Sequence, residues 1–151
     1  MLQLAFFHGL RVSEVINLTA DNVRDGQLSV QRLKGSNHTV QPLLESENEL
    51  LNEKKAVFAF TQNMHGKQRL FDISRQHATR LMKRYAKAAG LPAHKAHMHV
   101  LKHSIAMQLI HTAGIENTRQ WLGHKSISST GEYLKVNDED AARAVRGALS
   151  L

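Results

Sequence analysis

Apolar periods that are short, and repeatedly stopped by glycine, restrict this chain to a set of brief helices rather than a few long ones. Leu2 to Phe7 reads as the end of an apolar helix broken at Gly9, and Val12 to Leu18 as a second short helix offering Val15, Ile16 and Leu18 to a core. Ser74 to Ala89 is a basic amphipathic helix stopped by Gly90 and Pro92. His99 to Ala113 is a helix with Leu101, Ile105, Leu109 and Ala113 spaced by four, ending at Gly114. Glu116 to Leu122, Ser126 to Leu134 and Asn137 to Leu149 read as three further short helices. The pattern changes between these helices. Asn22 to Arg32 and Thr39 to Leu44 have strand character, a tight turn at Asp25-Gly26 splits the first, and Lys34-Gly35-Ser36-Asn37 joins the two. From Ser46 the pattern is helical again: Ser46 can cap, Glu49 stands three residues on, and Leu50, Leu51 and Val57 follow. Thr61 to Gln68 is a polar loop. The expectation is a mainly α domain with one small three-stranded antiparallel β-sheet, an α+β arrangement without internal repeats.

With 151 residues the chain has room for one domain with a proper core and not for two of ordinary size. Its 42% apolar and 22% charged content is that of a soluble globular protein. It contains no cysteine, which excludes disulfides and thiolate metal sites and fits a cytoplasmic protein. Met1 to Leu10 is apolar but has no basic leader and no small-residue cleavage site, so it does not read as a signal peptide. No apolar run reaches the ~18 residues of a membrane span. The net charge is +7, and its placement matters more than its size. No acidic residue lies between Asp72 and Glu116, an interval carrying Arg75, Arg80, Lys83, Arg84, Lys87, Lys95 and Lys102 with six histidines. A single basic helix would be an ordinary solvated face. A whole interval of one sign points to a polyanion, and nucleic acid is the expected partner, with Arg75, Arg80, Lys83, Arg84 and Lys87 contacting its backbone.

The residues suited to chemistry cluster from His99 to Tyr133. They are cations and hydrogen-bond donors near a phenol, which suits a phosphate diester. Gly9-Leu10-Arg11-Val12-Ser13-Glu14 adds the strongest cation from far off in sequence. These stretches resemble the tyrosine recombinase (phage integrase) family, from about Leu2 to the C-terminus. Gly9 to Glu14 is similar to that family's first arginine motif, and His99-x-x-Lys102-His103-Ser104 to its His-x-x-Arg-His motif. Leu122-Gly123-His124, with Tyr133 nine residues later, resembles its Leu-Gly-His…Tyr ending. Lys34 lies where the family keeps a catalytic lysine, and Pro42-Leu43 matches the end of the next strand. Several such motifs in order and spacing are far more specific than one.

The resemblance implies a catalytic domain that cuts and rejoins double-stranded DNA through a 3′-phosphotyrosine, without metal or other cofactor. It assigns Tyr133 as nucleophile, Lys34 as the acid protonating the departing 5′-oxygen, and His99 and His124 as donors to the phosphate. Arg11 supplies a two-pronged contact to its oxygens, and Glu14 can orient that guanidinium. It also implies a tetramer on DNA, with the segment from Asn137 to Leu151 packing on a neighbouring subunit. Members usually grip DNA with a separate N-terminal helical clamp. No such domain is encoded here, so the chain reads as a catalytic domain truncated at its N-terminus. The departure is Lys102, where the family has arginine: the charge is kept and the planar fork is lost.

Plainer readings stand beside these. Tyr133 can be a packing residue, Tyr85 a packing or DNA-facing phenol, Lys34 a turn lysine, Trp121 a core residue and Glu14 a surface carboxylate. His103 and Ser104 read as ties from their helix to its neighbours. His99 and His103 have a zinc-compatible spacing, but the Glu of His-Glu-x-x-His is missing, which places a zinc hydrolase last. A decayed DNA-binding remnant is the main alternative to an active recombinase, ahead of a type IB topoisomerase.

Overall fold

The computed structural model of the chain describes residues 1–33, 35–131 and 145–147. Helices α1 (Leu2–Phe7) and α2 (Val12–Ile16) lead into a sheet of β1 (Val23–Arg24), β2 (Gln27–Val30) and β3 (Thr39–Pro42). Helices α3 (Glu53–Thr61), α4 (Arg75–Ala88), α5 (Met98–Ala113), α6 (Ile115–Leu122) and α7 (Ser128–Gly131) follow. This is the expected mainly helical domain with a three-stranded antiparallel sheet, ordered β1-β2-β3. Asp25 and Gly26, both at positive φ, make the two-residue turn between the paired residues Arg24 and Gln27. The second pairing sets Val30 opposite Thr39 and Gln27 opposite Pro42. Among the described residues no helix is long and apolar enough to cross a membrane.

Alternation along the strands decides what faces inward. Leu28, Val30 and Arg32 are buried on one face of β2 and its continuation, and Thr39, Gln41 and Leu43 on that of β3. The main core joins Leu28, Val30 and Leu43 to Leu4, Leu10, Val15 and Met82, while Ile105, Ala106 and Leu122 form a second, smaller cluster. Gly9, between α1 and α2, packs closely on the Leu122 side chain of α6. Its φ is +57°, and a Cβ there would stand 2.4 Å from Leu122 Cδ2.

Two expectations are corrected. The helix read from Ser46 begins only at Glu53, and Asn52 is its cap, accepting from the Lys55 amide at 3.0 Å. The Ser46 hydroxyl instead accepts from the Asn48 amide at 3.2 Å, and the Asn48 side chain from the Leu50 amide at 3.0 Å. These local turns win over helix, and Leu50 and Leu51 stay exposed. On α5 the inward face is Met98, Lys102, Ile105, Ala106 and Ile110, not a row from Leu101 to Ala113. The expected row lies about 60° round the helix from the row Met98, Lys102, Ala106, Ile110, so Leu101 and Leu109 flank the buried face as half-buried residues and Ala113 is exposed. The two helices expected from Ser126 onward fall largely outside the described residues, except α7 and a helical 145–147.

Candidate active site

Arg11 is set by the first turn of α2. It is the N-cap, in extended backbone conformation, and Glu14 at the third helical position accepts from its amide at 2.7 Å, as in a capping box. Glu14 is buried rather than on the surface. Its other oxygen accepts from Arg11 Nη1 at 3.0 Å and from the Leu33 amide at 2.9 Å, while Arg11 Nη1 also donates to the Leu33 carbonyl at 3.2 Å. One carboxylate therefore aims the guanidinium and fixes the residue next to Lys34. Burial pushes the Glu14 carboxyl up, but the Leu33 and Arg11 amides and the charges of Arg32 and Lys102 outweigh it and hold it below the usual range.

His124 is placed by the end of α6. Gly123 adopts the left-handed conformation that closes the helix, with His124 N donating to Arg119 O at 3.0 Å and Gly123 N to Gln120 O at 3.1 Å. This is the Schellman pattern. A Cβ at Gly123 would lie 2.9 Å from Asn37 O and from Thr39 Cγ2 and 3.0 Å from Arg32 Cγ, so the helix end is pressed against the sheet. His124 is buried, and its Nδ1 is 2.9 Å from Thr130 Oγ1 on α7. Burial first, then the charges of Lys102, Arg11 and Arg32, lowers its pKa to about 4.

α5 supplies His99 in its first turn and Lys102 one turn later. His99 is exposed, and burial of part of the ring together with Lys102 lowers its pKa. Lys102 is only 2% exposed, and its Nζ has no hydrogen-bond partner among the described residues. Burial, then Arg11 and Arg32, draws it down to about 8, with Glu14 opposing. Arg11 and Lys102 thus lie within electrostatic reach of each other and of both His99 and His124. The cations outnumber the one buried carboxylate, Glu14, that opposes them at Lys102 and His124. Lys34 and Tyr133 lie outside the described residues.

The basic helix α4 buries Ala78, Met82 and Ala86 and packs against α2 and α5. Its outer face leaves Arg75, Arg80, Lys83, Arg84 and Lys87 exposed beside the elements that carry Arg11 and His99. Tyr85 is exposed there too. His103 and Ser104, expected to tie α5 to its neighbours, are on its exposed side. Trp121 serves the core: its indole donates to Phe7 O at 2.8 Å and its ring stacks on His8 at 5.9 Å.

Sequence reasoning missed the buried polar layer beneath the site. Arg32 is 3% exposed, and His8, Gln41 and Glu53 are buried with it. His8 bridges Gln41 Oε1 at 3.1 Å and Glu53 Oε2 at 3.0 Å. The signal was present in the alternation, since Leu28, Val30 and Arg32 fall on one face at a period of two.

Against known proteins, the chain matches the Phage integrase family model over residues 1–140. It is 37% identical over 155 residues to a tyrosine recombinase XerD of Xanthomonas campestris, covering 90% of this chain and 47% of that protein. The crystal structure of XerA recombinase superposes with a TM-score of 0.72 at 23% identity, over 97% of this chain and 55% of that one. A lambda integrase tetramer bound to a Holliday junction gives 0.65 at 21% identity, over 84% and 40%. The chain belongs to the phage integrase family of tyrosine recombinases and has the fold of their catalytic domains. It spans about half the length of the XerD relatives it matches.

Proposed function

We propose that this chain is a DNA strand-breaking and rejoining domain acting through a covalent 3′-phosphotyrosine at Tyr133. The observation that supports the reading is that Arg11 and Lys102, from separate parts of the chain, both act electrostatically on His99 and on His124. The Tyr133 phenol loses its proton to solvent as its oxygen bonds to phosphorus, the bond from phosphorus to the 5′-oxygen breaks, and Lys34 gives that oxygen its proton. Charge building on the non-bridging oxygens is met by groups already in position, which favours the transition state over the ground state. His124 is neutral at pH 7 and can present its remaining ring N–H to the phosphate while Thr130 holds Nδ1. Double-stranded DNA is the substrate, with α4 contacting its backbone, and strand exchange takes place in a tetramer.

The second reading is a DNA-binding remnant, and the enclosure of Lys102, with a point charge where a fork is expected, favours it. Incubation with a nicked duplex that traps the intermediate, followed by a denaturing gel, separates the two. An active domain gives a covalent protein–DNA band that Tyr133→Phe abolishes and EDTA does not. No band on any duplex, with DNA binding retained, establishes the remnant.

A further inference from the structure

Arg32 has no place in the chemistry described above, yet it is among the most heavily bonded side chains of the molecule. Nη2 donates to His8 O at 2.8 Å and is 3.1 Å from Gln41 Oε1 and 3.3 Å from Trp121 O. Nη1 donates to Gly9 O at 3.2 Å and lies 3.6 Å from Glu14 Oε2, while Nε donates to Thr39 Oγ1 at 2.9 Å. The positions of the three carbonyls are informative. His8 and Gly9 close α1 and stand three and two residues before Arg11, and Trp121 is in the last turn of α6, three residues before His124. Gly123 rests on the Arg32 side chain, a Cβ there falling 3.0 Å from Arg32 Cγ.

We propose that Arg32 is a positioning residue for the strand-cleavage site: its buried guanidinium bolts the backbone leading to Arg11 and the backbone leading to His124 onto strand β3. The inference rests on the function proposed above. A planar fork with donors on both edges is what can join carbonyls from two helix ends and a strand side chain at once; an ammonium on a flexible stem reaches fewer of them. The ion pair to Glu14 extends the clamp to the Arg11 guanidinium itself, because the same carboxylate holds both. Loss of the fork lets the two halves of the site move apart, and displacement by about 1 Å in such a site lowers the rate by about 100-fold.

The test uses the full chain with Arg32→Met, which keeps the stem beneath Gly123, and Arg32→Lys, which keeps the charge. Circular dichroism first establishes that each variant folds. Single-turnover trapping on the nicked duplex is then followed against DNA concentration, and the His124 ring is titrated by NMR without DNA. The expected result for Arg32→Met is a rate at saturating DNA reduced by about 100-fold, with the half-saturating concentration little changed, and partial recovery in Arg32→Lys. The His124 titration moves upward in Arg32→Met, because one of the cations that lower it is gone. A folded Arg32→Met variant with the wild-type saturating rate, or a defect confined to half-saturation, overturns the proposal. If Arg32→Met does not fold, a folded Arg32→Lys with wild-type rate and wild-type His124 titration overturns it. If wild type itself forms no covalent complex, the strand-cleavage reading fails instead, and an unchanged His124 titration in Arg32→Met then refutes the clamp separately.

Discussion

Lys102 concentrates the difference between this site and an ordinary buried side chain. A fully enclosed ammonium with no described partner is unfavourable in the folded protein, and its pKa of about 8, against an ordinary 10.5, expresses that. The sign follows from proton counts. Below pH 8 both folded and unfolded chains carry the charge, and the fold bears the full penalty. Between about 8 and 10.5 only the unfolded chain holds the proton, so stability rises with pH across that window, by about 3 kcal/mol at most. Lys102→Met, apolar and of similar length, is therefore expected to raise stability at pH 7 by about 1–3 kcal/mol, read as a higher melting temperature, while it lowers DNA cleavage. A lower melting temperature would mean that the ammonium is paired in solution. Under the proposed function activity carries the opposite dependence, because the charged form of Lys102 is the one that meets the phosphate. The second-order rate of covalent-complex formation should fall above pH 8 in wild type, and this limb should move out of range in Lys102→Arg, since guanidinium stays charged.

Elements were legible in the sequence where a local rule and the tertiary fold agreed. The glycine stops after α1, α4 and α5 and the Asp25-Gly26 hairpin belong to this kind, as does the start of α4 at Ser74, whose hydroxyl caps it by accepting from the His77 amide at 3.1 Å. They failed where two local rules competed, as at Ser46, or where a face had to be oriented by its surroundings, as on α5, which turns Lys102 inward and leaves His103 outside. Of the candidate site, the sequence motifs singled out Arg11, His99, Lys102 and His124, and the fold sets Arg11 and Lys102 within electrostatic reach of both histidines. For Arg32 and Gln41 the alternation along their strands carried the inward direction, but the distant carbonyls that Arg32 bonds could not be read from its neighbours in sequence. At this scale α4 gives a direct prediction. Its basic residues are exposed and its buried face is small and apolar, so Arg80→Ala with Arg84→Ala should leave the helix folded. If both arginines neutralise phosphates, the log–log salt slope of DNA binding should shrink by about 1.8, at about 0.9 for each contact. A gel-shift series over salt measures it, and an unchanged slope removes this face of α4 from the interface.

For the molecule as a whole, the stability of the fold and the readiness of the site pull against each other. Gly9 rests on Leu122 and Ile105 of the smaller core cluster, and the chain leaves that contact toward Arg11 on one side and His124 on the other. The fold thus presses cations together without a matching number of anions, in a chain already at +7. DNA, which supplies the missing charge, should bind the folded form alone and raise its melting temperature by mass action. The acid side shows the same conflict. His124, buried and ringed by Lys102, Arg11 and Arg32, has a pKa of about 4 in the fold against an ordinary 6.5. Between those values the unfolded chain takes up a proton that the folded chain refuses, so stability falls as pH drops from 6.5 toward 4 and this group adds no further loss below. The contribution is about 3 kcal/mol at most. Melting curves of wild type and His124→Asn, recorded without DNA across pH 4 to 7, isolate it: the wild type should lose stability more steeply. Adding duplex should flatten the wild-type curve, because a phosphate beside His124 restores the affinity of the ring for its proton. Parallel curves for the two proteins would mean that His124 is not held among these cations.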